Sequence, residues 1–166
     1  MDTIRLLLFP ALMAFAASSD LFTMTITNKV SLALAAGFLL LALAIGMSPA
    51  EVGLHAAAAA VVLVVAFVFF TRGWVGGGDA KLAAATSLWF GFDHLLQYLV
   101  DAALLGGVLT FLMINFRLLP LPAAMAHWPW LARLHQKGAG VPYGIALAAA
   151  ALLVYPETVW MKASGG

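Results

Sequence analysis

LAAATSLWFGFDHLLQYLVDAALLGGVLTFLMINF, residues 82–116, decides the fold. These 35 residues are apolar almost throughout. As one helix, at about 1.5 Å per residue, they would reach about 50 Å. The hydrocarbon core of a bilayer is only about 30 Å thick. The polar cluster Gly91-Phe92-Asp93-His94 is the natural place to divide the run. The division predicts a short helix over 80–92 and a longer one over 95–116, the short one starting below the membrane surface or bordering a polar cavity.

Further apolar runs lie at 3–19, 30–48, 52–70 and 141–161, so the chain is expected to be an all-α, polytopic membrane helix bundle of about six transmembrane helices. Composition agrees. Of the 166 residues 64% are hydrophobic and 9% are charged, against roughly a quarter charged in a soluble domain. Mean hydropathy is +1.05. A single membrane-embedded domain over 1–166 is expected, with no separate soluble domain. The first run has a weak basic flank, because Asp2 offsets Arg5, and it reads as a retained span rather than a cleaved leader. A net charge of +1 argues for no nucleic-acid partner, and the absence of cysteine removes disulfides, thiolate metal sites and a cysteine nucleophile.

Orientation follows from Lys and Arg. Lys29, Arg72, Lys81, Arg117, Arg133 and Lys137 fall on one set of ends and loops, Arg5 and Lys162 on the other. The first set is therefore expected in the cytoplasm and both termini outside. The segment 118–140, with Trp128 and Trp130, is expected to lie along the interface. Among the acids, Asp2, Glu51, Asp93, Asp101 and Glu157 sit on or nearer the outer side. Only Asp20 and Asp79 fall on the cytoplasmic side. Two complete spans separate them, so parity returns the chain to the same face whatever happens at Gly91.

Carboxylates in or near lipid are costly and mark function by default. Two placed together do not both ionise easily, and such a pair can hold a single proton. One can then act as general base on a water while the other, protonated, polarises a carbonyl or protonates a leaving amine. That chemistry requires no cofactor and no metal, and none is expected. Gly76, Gly77 and Gly78, just before Asp79, would let a substrate strand lie beside the carboxylate. The same residues also read as a turn leading into a helix N-cap.

Several stretches resemble the type IV prepilin peptidases, which are intramembrane aspartic proteases. Gly76-Gly77-Gly78-Asp79-Ala80-Lys81 matches the family's GxGDxK motif and continues Leu82-Ala83-Ala84-Ala85 and Leu88-Trp89-Phe90-Gly91, much as the family does. Asp20-Leu21 followed by Ile26-Thr27-Asn28 resembles its first motif, an aspartate ahead of Ile-Pro-Asn. Val141-Pro142-Tyr143-Gly144-Ile145-Ala146 resembles its late VPYGxA segment. The resemblance implies a prepilin leader peptidase in the bacterial inner membrane, with its active site on the cytoplasmic side and Asp20 and Asp79 as the catalytic pair. It further implies prepilin or pseudopilin substrates, cut after a short basic leader ahead of a hydrophobic helix, and the pilus assembly machinery as a possible partner besides the lipid bilayer. The short form resembles the branch serving tight-adherence (Flp) pili; longer members carry an extra N-terminal cytoplasmic part, often with paired cysteines, associated with N-methylation. Two departures stand out. Thr27 replaces the expected proline, and no basic residue follows Asp20 before Lys29.

Gly76, Gly78 and Lys81 are candidates for an active-site loop. Lys81 could orient Asp79 but is expected to anchor at the interface. Asn28 could lie near substrate but is expected to cap the second helix. Pro142, Tyr143 and Gly144 are further substrate-proximal candidates, the simpler reading being that Pro142 starts the last helix and Gly144 lets helices pack closely. Asp93, Gln97 and Asp101 share a helix face and, with His94, read as structural rather than metal-binding; His127 and His135 are expected in solvent. The rival functions are a small proton-coupled membrane transporter and a non-catalytic membrane subunit whose glycine loop docks a partner. A carrier would more often show internal repeats and mid-membrane acids, and neither is visible.

Overall fold

The computed structural model describes residues 2–122, 125 and 127–162, and the side chains of Asp2, Arg5 and Lys162, used above for orientation, lie outside the described part. Among the described residues the chain is helical with no strand. In order come α1 (Asp2–Thr23), α2 (Asn28–Ala44), α3 (Pro49–Thr71), α4 (Gly77–Leu118), α5 (Pro129–His135), α6 (Gly144–Val154), a 3-10 turn (Tyr155–Glu157) and α7 (Val159–Lys162). Leu6–Thr23, Pro49–Thr71 and Gly77–Leu118 are long and apolar enough to cross a membrane, while Asn28–Ala44 and Gly144–Glu157 are shorter apolar helices. The chain is thus an integral membrane protein. Leucines, valines and phenylalanines stand exposed along its flanks, among them Leu40, Leu43, Val64, Phe67 and Phe111, as expected where lipid rather than water is the solvent.

The expected division of the long run is present. At Gly91 the backbone leaves the helix with φ 58 and ψ −167, a region essentially reserved for glycine. The chain reverses there. Asp79 and Thr110, 31 positions apart, line one cavity, whereas an unbroken helix would hold them about 46 Å apart. The rings of Phe90 and Tyr98, tilted at 58° with centroids 5.1 Å apart, close the hairpin near its bend. The two halves of α4 therefore run over 77–90 and 92–118.

Breaking a helix frees backbone carbonyls that lipid cannot satisfy. Here other helices supply the partners. His55 Nδ1 of α3 lies 2.7 Å from the Leu88 carbonyl oxygen, and the Trp160 indole of α7 donates to the Trp89 carbonyl at 2.7 Å. The Trp89 indole itself donates to the Leu34 carbonyl of α2 at 3.0 Å. Phe9, Phe38, Trp89, Tyr155 and Trp160 fill the space around these bonds, with Phe9 stacked on Tyr155 at 4.5 Å. The bend is the point where α2, α3, α4 and α7 are tied together.

Helix ends differ from expectation in local ways. α1 runs on to Thr23, so Asp20 sits within its last turns rather than closing it. α3 starts with a full capping box between Ser48 and Glu51 and has Pro49 at its first position, a strong start signal. The last span is shorter than 141–161, because Pro156 lies in a 3-10 turn that ends the regular helix. The segment 118–140 carries α5, which rests against the end of α1: Phe22 and Trp130 meet edge to face at 5.4 Å, and Arg133 donates to the Phe22 carbonyl at 3.2 Å. A cation at a helix C-terminus also meets the negative end of its dipole. Contrary to expectation, His135 is half-buried, with Nε2 2.7 Å from the Leu119 carbonyl oxygen.

Gly91→Ala is expected to destabilise the bundle by about 1–3 kcal/mol, because it forces a side chain into a glycine-only conformation and against the His55 ring, 3.0 Å away. The readout is the midpoint of thermal unfolding in detergent, and an unchanged midpoint would show that the bend does not depend on glycine.

Candidate active site

The core-facing stripe of α1 reads Phe9, Met13, Ala16 and then Asp20, all buried. Steps of four and three residues keep one helix face, so Asp20 continues the apolar seam. On α4 the sequence Asp79, Ala83, Thr86 and Phe90 has the same spacing. Each seam thus ends in a carboxylate at the same end of the bundle. Between α1 and α4 packs α6, whose own stripe begins at Gly144.

Asp20 is 5% exposed. Its Oδ2 accepts the Gly144 backbone N–H at 2.7 Å, so the first residue of α6 holds the carboxylate through main chain alone. Glycine is required by space: a β-carbon there would stand 2.8 Å from Asp20 Oδ2 and 2.7 Å from Ile26 Cδ1. Asp79 is the third residue of α4, with Gly76 as the N-cap. Its Oδ2 lies 2.8 Å from where a Gly76 β-carbon would be. Acidic groups in the first turn of a helix are favoured by its dipole.

Asp20 and Asp79 face one cavity of about 720 Å³, lined also by Met24, Trp74, Gly76, Thr110, Gly140, Val141 and Tyr143. The cavity roof is tied down by Arg117, which donates to the Leu134 carbonyl at 2.8 Å and to the Gly140 carbonyl at 2.7 Å. The α1–α2 link beside it is held by Ser19, whose hydroxyl donates to the Thr25 carbonyl at 2.9 Å. Met24, on that link, has φ 56, a left-handed conformation that a non-glycine residue adopts at some cost.

The structure brings together Asp20, Asp79, Gly76, Tyr143 and Gly144, and it separates others from them. Lys81 points elsewhere: its Nζ donates to Asn28 Oδ1 at 2.9 Å, and both line a shallow recess with Ser31, Leu32, Leu63 and Ala84. Asn28 does not cap α2. Thr27 holds that position, without a side-chain bond, and Asn28 is the first helical residue. Gly78 does allow a close backbone approach, but of the chain's own Ile26, whose carbonyl oxygen is 3.3 Å from a β-carbon placed there. Pro142 is buried and does not line the cavity. On the far side, Gln97 donates to Glu157 at 3.3 Å, and no group of three or more potential metal ligands occurs among the described residues.

Thr110, Met24 and Trp74 were not singled out from sequence. Thr110 becomes visible only once the reversal at Gly91 is known. Trp74, 69% exposed, carried a weak signal as an aromatic beside the glycine run.

Gly144→Ala is expected to destabilise by about 1–3 kcal/mol through loss of the bond to a buried carboxylate. The penalty should shrink when Asp20 is also changed to Ala, because one of the two colliding groups is then gone. Thermal unfolding of the four chains checks this, and equal penalties in both backgrounds would show that Gly144 and Asp20 are not coupled.

None of the curated proteins and none of the solved structures matches this chain. One family model does, that of the type IV leader peptidase family, over residues 7–111. The matched region holds both aspartates and the Gly76–Lys81 motif, and leaves Pro142, Tyr143 and Gly144 outside it. With more than half of its length matched, the chain belongs to the type IV leader peptidase family and, at the level of that family, is an aspartic peptidase.

Proposed function

We propose that this chain is a prepilin leader peptidase of the short, tight-adherence (Flp) branch, cutting after the short basic leader of prepilins or pseudopilins with Asp20 and Asp79 as its catalytic dyad. The observation that carries the reading is the shared cavity: two carboxylates from distant helices meet at one end of an apolar bundle. Six apolar segments, with the basic residues gathered at the carboxylate end, support six crossings with both termini outside and the site at the cytoplasmic face of the inner membrane.

The chemistry follows from the pair. One carboxylate takes a proton from water as the water oxygen attacks the scissile carbonyl carbon. The other, protonated, donates to the carbonyl oxygen, which becomes a hydroxyl. The tetrahedral intermediate collapses as the C–N bond breaks and the amide nitrogen takes the proton first abstracted. The hydroxyl proton returns to the second carboxyl. The products are the leader with a free carboxyl end and the shortened pilin with a free amine. Water reaches the pair through the cavity, and the apolar seams behind it keep both groups from bulk solvent, where each electrostatic interaction would be weaker.

The test is cleavage of a co-expressed Flp-type prepilin, read by gel shift and by the mass of the new N-terminus. Asp20→Asn and Asp79→Asn should each abolish processing at normal membrane levels, and the double variant should be no worse than either, since the groups act as a unit. Near-normal cleavage by both single variants would sink the dyad. The chemistry would then lie on other residues, whereas no processing by any chain, wild type included, would make a proton-coupled transporter or a docking subunit the readings to pursue.

A further inference from the structure

The carboxylate cavity has a neighbour. A second cavity, of about 360 Å³, runs between α3, both halves of α4 and α6. Its walls are apolar, from Val62, Ala66 and Phe69 on α3 to Ala83 and Leu99 on α4. The two cavities share three lining residues: Val75, Asp79 and Tyr143. Tyr143 is the large side chain at that seam opposite Asp79. It is seated by a notch. Gly106, buried on the second half of α4, lies against the Tyr143 ring so closely that a β-carbon there would overlap the hydroxyl oxygen and the ring carbon bearing it. Gly107, next in sequence, has nothing near it, so the pair of glycines is not a general small-residue surface. One of the two fits one ring.

Resting on the peptidase reading above, we infer that Tyr143, locked in the Gly106 notch, is a positioning residue that divides the site into two subsites. The polar, partly open cavity takes the leader side of the substrate, and the apolar cavity takes the first residues after the cut. The ring sets where the chain passes from one to the other, and so which peptide bond lies against Asp79. The match is chemical: a polar leader followed by an apolar segment meets a polar cavity followed by an apolar one. The partition acts through shape, because the Tyr143 hydroxyl has no hydrogen-bond partner among the described residues. Tyr143→Phe should therefore retain function.

Because the chain has no cysteine, single cysteines can report on the two cavities in membranes. Thr110→Cys marks the polar one and Val62→Cys the apolar one. A charged, water-soluble thiol reagent is expected to label Thr110→Cys and to leave Val62→Cys unlabelled. Adding Tyr143→Ala or Gly106→Ala should open Val62→Cys to the reagent; adding Tyr143→Phe should not. In cleavage of a Flp-type prepilin, Tyr143→Ala should lower kcat/KM by roughly 10- to 100-fold, as for a misplaced scissile bond, and product masses should spread to neighbouring bonds. Tyr143→Phe should give one product of wild-type mass. Gly106→Ala should add little to Tyr143→Ala, as expected for two changes acting on one ring.

Equal labelling of both cysteines with Tyr143 in place would overturn the partition, whatever the cleavage result. A single wild-type product from Tyr143→Ala would overturn its role in placing the bond. The expected labelling with no cleavage by the wild-type chain would instead overturn the peptidase reading, and the subsite assignment with it.

Discussion

A helix that breaks within an apolar bundle must find partners for the carbonyls it frees, and this fold is arranged around that requirement. At Gly91 the longest helix turns back on itself. His55 and Trp160 reach the freed carbonyls of Leu88 and Trp89 from two other helices. In water such bonds would contribute about 1 kcal/mol each; in lipid, leaving the carbonyls bare would cost several. The bend therefore recruits α3 and α7, and the aromatic cluster of Phe9, Phe38, Trp89, Tyr155 and Trp160 packs against the tie.

Fixing that end of the bundle fixes the other. Because the chain reverses at Gly91, the second half of α4 returns to the level of Asp79 and brings Thr110 and the Gly106 notch with it. Because α1 and α6 pack side by side, the seam through Phe9, Met13 and Ala16 delivers Asp20 to the first backbone N–H of α6. Each carboxylate is thus the last member of a core-facing stripe and faces a cavity instead of a neighbouring side chain. Close backbone approach is the recurring device: Gly144 meets Asp20, Gly78 meets Ile26, and Gly106 meets Tyr143. A β-carbon would overlap the Tyr143 ring at Gly106, stand under 3.0 Å from Asp20 and Ile26 at Gly144, and crowd Ile26 at 3.1 Å at Gly78.

Much of this was legible in the sequence. Hydrophobic run lengths identify the apolar segments, and the length of residues 82–116 calls for a break, for which Gly91-Phe92-Asp93-His94 is the natural place. Parity alone places Asp20 and Asp79 on one face. Individual partners were not legible. Lys81, two residues from Asp79, sits about 200° around the helix from it and bonds Asn28 instead. Asn28 looked like a cap, but the helix starts one residue earlier. Gly78 announced a close contact without saying with what, and the answer is the α1–α2 link. Gly106 carried a faint signal, a Gly-Gly pair inside an apolar helix, but the ring it admits lies 37 positions away. Periodicity reports which face is buried; it does not report which neighbour buries it.

The central claim is that Asp20 and Asp79 form one electrostatic unit, not two separate helix-end acids. Infrared difference titration of the carboxyl bands, on protein reconstituted in lipid, tests this directly. Spectra of the wild-type chain are compared with those of Asp20→Asn and Asp79→Asn. The account predicts that removing either carboxylate changes the pH at which the other takes up its proton. If each aspartate titrates identically whether or not its partner is present, the two are not coupled, and the account of the site is wrong.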